Sequence, residues 1–323
     1  MTETIVEALA AMASSQPDAI ALKLPIGRRP NPPVSYKSVS YNELANDSRL
    51  IARGLRSYGV RKGQRVAVMV KPSLELFSLT FALFSLGAVP VLIDPGIGLK
   101  ALKSCLAEAR PKLFIGIPAA HLARLIFGWA KGSLTTTISV GSKGFWASTT
   151  LQKIRHLGDS DAEPEGERIS ARDDAAILFT SGSTGVPKGV VYKHQHFAAQ
   201  VRMIRDLYDI QPGEVDLPTF PLFALFAPAL GTTAVIPPMD FTRPAKVDPR
   251  VLADAIDNQG VTTMFGSPAL LNTFSRWCAQ ESKTFGGFKR VISAGAPVPA
   301  QVLKRMREAL PASADIVTPY GAT

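Results

Sequence analysis

The stretch "FTSGSTGVPKGV", Phe179 to Val190, concentrates groups that hold phosphate. Three glycines, two serines and two threonines fall between Thr180 and Gly189, and Lys188 adds a cation. Glycines let successive backbone N–H groups turn inward and form an anion-binding nest. Hydroxyls of Thr180, Ser181, Ser183 and Thr184 add donors that can wrap terminal phosphates or approach Mg²⁺. Neither common nucleotide fingerprint fits. Counting from Gly182, Pro187 stands where a Walker A loop needs its second glycine, and Gly189 where a hydroxyl should follow Lys188. The three-glycine dinucleotide spacing fails as well. A surface turn is the plain alternative, because Gly, Ser and Thr are common in turns. The strand-like run "AAILFT" immediately before the loop favours the phosphate reading.

Such a loop needs a sheet to present it, and the chain supplies the pattern. "SYNELANDSRLIARGLRSYG" opens with Ser40 and Glu43 at capping-box spacing, then shows one apolar helical face. "QRVAVMV" (64–70) is short, β-branched and flanked by charge, as a buried strand should be. A helix near 74–86, a strand at 89–93, a helix near 98–109 and a strand at 112–116 follow. After the loop, helices are expected at 194–208 and near 249–258, 268–279 and 298–309. Strands near 233–236, 261–265, 290–293 and 314–318 separate them. This rhythm predicts an α/β fold: two αβ subdomains with largely parallel sheets and helices on both faces. The polar stretch 158–173, "GDSDAEPEGERISARD", marks the expected boundary, with one subdomain at 1–170 and a second, carrying the phosphate loop, at 171–323.

Composition narrows the function classes. The 323 residues are 46% hydrophobic and 19% charged, as in an ordinary globular protein. Cys105 and Cys278 match no metal or redox spacing, and a reducing cytoplasm is the default. The uncharged run Leu76–Ile93 has the length of a membrane span, but Gly87 and Pro90 interrupt it; helix, turn and strand fit better. The net charge of +10 is spread, with no basic motif interleaved with aromatics, so nucleic acid is not an expected partner. Anionic substrates, or peripheral contact with anionic lipid, suit that charge. His194 and His196 lie close in sequence, yet no Cys or acid at ligand spacing completes a metal site.

"FTSGSTGVPKGVVYKHQHF" resembles the phosphate loop of the AMP-forming adenylating enzymes, a superfamily of acyl-CoA synthetases, firefly-type luciferases and peptide-synthetase adenylation domains. Two further stretches resemble that family in the same order. "SAGAPVP" (293–299) is similar to its Gly-Ala-Pro segment, and "TPYGAT" (318–323) to its Tyr-Gly-x-Thr-Glu motif. The resemblance covers nearly the whole chain and implies the acyl-CoA synthetase-like fold, with ATP and Mg²⁺ as cofactors. It implies that Thr180, Ser181, Gly182, Ser183, Thr184, Gly185 and Lys188 hold the β- and γ-phosphates, Lys188 and Thr184 acting in catalysis. Gly295, Ala296 and Pro297 would lie against adenine with Tyr320, between Thr318 and Gly321, Ala322; Thr323 would bond the α-phosphate. Mg²⁺ would be carried by ATP, since the family's carboxylate follows the motif's threonine.

The chain also departs from the family. Many acyl-CoA synthetases carry His in a Pro-Leu-Phe-His segment beside the substrate carboxylate; "PLFALFAPALG" has Ala224 there. Peptide-synthetase domains use a carboxylate in this region, and the segment has none. Phe223, Ala224, Leu225 and Phe226, with Met264 and Phe265, are the expected lining of an acyl pocket, core packing being the alternative for each. The stretch 218–249 looks most like the bacterial olefin-pathway β-lactone synthetases, often labelled fatty-acyl-CoA ligases. That branch implies a 2-alkyl-3-hydroxy fatty acid as substrate, with Ala224 making room for the α-alkyl chain. CoA is a co-substrate only under the ligase reading, and other enzymes of the pathway are the expected protein partners. Related chains continue past this point with a Glu, a ribose-binding Asp, a hinge and a small C-terminal domain bearing a Lys. The resemblance therefore implies that residues 1–323 form the N-terminal portion and alone have little or no activity.

Overall fold

A computed structural model describes residues 4–27, 31–93, 97–159, 168–180 and 187–321. In chain order the first half runs α1 (Ile5–Ser15), β1 (Ile20–Pro25), β2 (Tyr36–Ser40), α2 (Tyr41–Ser57), β3 (Arg65–Met69), α3 (Leu74–Ser85), β4 (Val89–Ile93) and α4 (Leu99–Ala109). Next come β5 (Leu113–Gly116), α5 (Pro118–Phe127), β6 (Thr136–Ser139), β7 (Thr149–Thr150), α6 (Leu151–Gly158), β8 (Asp174–Thr180), β9 (Lys188–Lys193) and α7 (His194–Tyr208). The rest comprises β10 (Val215–Pro218), α8 (Pro221–Ala224), α9 (Ala227–Leu230), β11 (Thr233–Val235), α10 (Pro249–Gln259), β12 (Thr263–Phe265), α11 (Pro268–Gln280), β13 (Arg290–Ile292), α12 (Ala300–Ala309) and β14 (Asp315–Val317).

Among the described residues the strands form two seven-stranded sheets, ordered β7-β6-β5-β3-β4-β8-β9 and β14-β13-β12-β10-β11-β1-β2. Each is parallel except for one antiparallel hairpin at an edge, β8/β9 in the first and β1/β2 in the second. The expected α/β architecture is present.

The boundary is not where the polar stretch suggested. The compact units are Met1–Ala10 with Asn42–Arg202, and Ala11–Tyr41 with Met203–Thr323. Pairing explains the correction to the 170/171 division. Ile177, Leu178 and Phe179 of β8 lie beside Val91, Leu92 and Ile93 of β4, so the strand leading into the phosphate loop belongs to the first sheet. Likewise Leu22 of β1 pairs with Ala234 of β11, which carries an N-terminal hairpin into the second unit.

In the first unit, α3 is apolar on all sides and every residue from Leu76 to Phe84 is buried. Gly87, at φ 64, ends it, and β4 follows within two residues. The run at 76–93 is thus helix, turn and strand, and no described helix is long and apolar enough to cross a membrane. Helices α2 and α6 touch at two glycines. An added Cβ would lie 1.9 Å from the Ile154 carbonyl oxygen at Gly54, and 2.0 Å from that of Leu50 at Gly158. Overpacking of this kind costs about 1–3 kcal/mol or more. Arg155 fixes the same crossing with a two-pronged ion pair to Asp47, at 2.7 and 2.8 Å.

In the second unit one face of the sheet presents Leu217, Met264 and Val291 to Leu270, Phe274 and Val302 of α11 and α12. Its amino edge is held by a buried ion network. The Arg290 guanidinium pairs with Glu214, donates to Thr263 Oγ1 at 2.9 Å and to the Asp209 carbonyl at 3.2 Å. Lys289 Nζ and the Gln211 backbone N–H also donate to Glu214, at 3.2 and 3.1 Å. Burial works to raise the Glu214 carboxyl, but Arg290 and these other donors hold it below the usual range. Asp216, one turn of the pleat along β10, has no such clamp; burial lifts it to about 7.

Candidate active site

In the first unit the expected phosphate loop is flanked by a hairpin. Thr180 closes β8 and Lys188 opens β9, and the two are backbone partners across the pair. β8 ends beside the end of β4, at the carboxyl edge where open α/β sheets bind ligands. Lys188 is exposed at this base. Ser181, Gly182, Ser183, Thr184 and Gly185 lie outside the described residues. Gly189 has a packing reason beyond phosphate binding. A Cβ there would meet the Phe179 ring at 2.7 Å, and Phe179 is buried among Val89, Val91 and Cys105.

The two histidines after the hairpin are accounted for locally. His194 is fully buried and meets Phe84 edge-on at 5.7 Å; burial pushes its pKa down, Asp173 opposing and Lys62 adding to the shift. His196 turns outward and its Nδ1 accepts the Lys193 backbone N–H at 3.2 Å. No group of three or more His, Cys, Asp or Glu that could hold a metal occurs among the described residues.

In the second unit the expected adenine-side residues lie at the carboxyl edge of the parallel strands. β13 and β14 run side by side, and the Ser293 N–H donates to the Val317 carbonyl at 3.0 Å just where both end. Gly295, Ala296 and Pro297 therefore leave the sheet next to Thr318, Tyr320 and Gly321, and all six are exposed. Gly295 sits at φ +96 with open space where a Cβ would be, so the backbone, not crowding, demands glycine. Tyr320, at 102% exposure, has an aromatic face free to stack on a planar base. Ala322 and Thr323 lie outside the described residues.

Two strands over, the carboxyl ends of β10 and β12 carry the expected acyl-pocket residues. Thr219 Oγ1 donates to the Phe265 carbonyl at 2.7 Å and ties these ends together. Phe223, 40% exposed, meets Phe265 edge-to-face at 4.5 Å. Phe220, which the sequence reading passed over, meets Phe223 at 5.2 Å; the spacing of three in "FPLF" was the available signal. Ala224 and Leu225 are buried, Ala224 completely, and Phe226 partly so. Met264 does not belong with them. It lies on the other face of β12, fully buried against Leu217, Leu270 and Phe274, because alternate strand residues face opposite ways.

The AMP-binding enzyme family matches residues 9–323. The chain belongs to that family. Over 320 residues it is 51% identical to a protein of Xanthomonas campestris pv. campestris named olefin beta-lactone synthetase, covering 99% of this chain and 56% of the relative. A protein of the same name from Stenotrophomonas maltophilia is 51% identical over 315 residues, 97% of this chain and 56% of its own length. The chain thus spans about half the length of these AMP-binding relatives. Among solved structures, a long-chain-fatty-acid-CoA ligase (FadD1) from Archaeoglobus fulgidus superposes with a TM-score of 0.80 at 20% identity, over 95% of this chain and 60% of that one. That likeness shows the fold of the family's N-terminal region.

Proposed function

We propose that this chain is the ATP- and acyl-binding part of an enzyme that adenylates a long-chain 2-alkyl-3-hydroxy fatty acid and closes it to a β-lactone. The observation that carries the reading is 51% identity, over 99% of the chain, to a relative named olefin beta-lactone synthetase. In the first step a carboxylate oxygen bonds to the α-phosphorus of ATP and the α–β anhydride breaks, releasing pyrophosphate. The Thr180–Lys188 loop grips the departing phosphates, and Lys188 offsets their charge. Gly295–Pro297 and Tyr320 receive the adenine. In the second step the 3-hydroxyl gives its proton to solvent and bonds to the acyl carbon, the acyl carbon–phosphate oxygen bond breaks, and AMP leaves with its electron pair. Binding of Mg²⁺ with ATP neutralises phosphate charge at the loop.

The apolar end is suited to an acyl chain. Phe223 and Phe265 offer an aromatic wall without a nearby carboxylate in the 221–231 segment that would favour an amino acid. Ala224, fully buried in this structure, stands where the resemblance implies that a larger side chain would compete with the α-alkyl branch. The Ala224→His variant is therefore expected to lower activity on α-branched acids about tenfold relative to straight-chain acids. The ratio separates pocket shape from general damage to the protein. Unchanged preference would remove the role given to Ala224.

The reading is tested in a chimera that joins this chain to the remaining length of the Xanthomonas relative. Acid-dependent exchange of labelled pyrophosphate into ATP supports adenylation; exchange indifferent to any fatty acid contradicts it. An acyl-CoA ligase is the alternative, and addition of CoA distinguishes the two by product.

A further inference from the structure

Helix α5 buries the wrong residues for an ordinary surface helix. Its inward side is small and polar: Ala120 and Ala123 pack near Phe114, and fully buried His121 bonds to the Ile138 carbonyl at 3.0 Å. Its large apolar side chains point out. Leu122, Leu125, Ile126 and Phe127 are 47%, 45%, 67% and 41% exposed, and the first three recur at i, i+3, i+4. A second apolar group stands beside them. Arg124 donates to the Trp146 carbonyl at 3.1 Å, which holds Phe145, 86% exposed, next to the helix. Scattered exposed leucines are normal, but four large apolar side chains exposed on one ten-residue helix, with exposed Phe145 following close by in sequence, mark a contact surface.

The charge of the segment that carries these side chains points to their occupant. From Ala109 to Gly158 the sequence has seven Lys and Arg and not a single Asp or Glu. Lys131, just past the end of α5, and Lys143, two residues before Phe145, are exposed, and among the described residues neither forms an ion pair. A protein partner would need an acidic, greasy groove. An anionic bilayer supplies both features at once, headgroups for lysines and acyl chains for Leu, Ile and Phe. We propose that α5 and the Phe145 loop form a peripheral docking surface for anionic phospholipid. The proposal rests on this surface alone and holds whichever acid the active site takes.

The test is sedimentation of the chain with vesicles of phosphatidylcholine alone, or mixed with phosphatidylglycerol. Binding is expected only to the mixed vesicles and should weaken as salt is added. Ile126→Glu and Phe145→Ser are each expected to reduce it about tenfold or more, with the melting temperature unchanged because both side chains are exposed. Trp129, stacked on Phe127 at 5.8 Å, gives a second readout through quenching by brominated lipid in the parent and not in Ile126→Glu. Equal binding by parent and variants overturns the proposal. So does a concentration-dependent dimer that the variants abolish without vesicle binding, which would assign the face to self-association. Loss of vesicle binding in the chimera with the relative's C-terminal remainder would likewise overturn it, by showing that protein covers the helix.

Discussion

Lys188→Ala is expected to lower acid-dependent ATP–pyrophosphate exchange in the chimera by about 10²–10³-fold, the usual effect of removing one preorganised charge at a reacting phosphate. The side chain is exposed at the base of the hairpin, paired by backbone with Thr180, so the fold should not notice its loss. Circular dichroism and melting of the variant should match the parent. Lys188→Arg keeps the charge but not the compact ammonium, and partial recovery is expected. A variant that exchanges as fast as the parent would remove Lys188 from the site. Loss of exchange together with loss of fold would assign it a structural role instead.

The largest effect on stability is expected at the other end of the second sheet. Glu214→Ala leaves Arg290 buried without its carboxylate, and breaking a buried pair from one side costs about 3–5 kcal/mol. Lys289 and the Gln211 N–H lose the same acceptor. Replacing both partners, as Glu214→Leu with Arg290→Met, should recover much of the loss, because no uncompensated charge remains. The sign with pH follows from the depressed Glu214 carboxyl. Its contribution is present above the ordinary glutamate range and lost as pH falls through its lower folded value. Urea midpoints should therefore separate parent and Glu214→Ala at neutral pH and converge in acid. A constant gap would mean that the carboxylate charge is not what Arg290 needs.

Much of this architecture was legible in local patterns. Short β-branched runs such as "RVAVM" became strands, and the capped, amphipathic run from Tyr41 to Ser57 became α2. The break at 158–173 was read as a domain boundary because it is polar, yet it joins α6 to a strand of the same sheet. Pairing partners carry that information, and they are non-local. Nothing within Ile20–Pro25 signals that its neighbour is β11, more than two hundred positions later. The candidate site shows the same divide. Gly295 and Tyr320 lie just past β13 and β14, where the strand pattern in the sequence put them. Met264 was misplaced although strand alternation, with Thr263 and Phe265 on one face and Met264 on the other, was there to be used.

The central claim concerns the fate of the acyl adenylate, and product analysis reaches it most directly. The chimera is supplied with ATP, Mg²⁺ and a long-chain 2-alkyl-3-hydroxy acid, with no CoA, and the products are separated by mass. The account predicts AMP, pyrophosphate and a β-lactone in equal amounts, with no change when CoA is added. An acyl-CoA formed only when CoA is present, with no lactone under either condition, would contradict it.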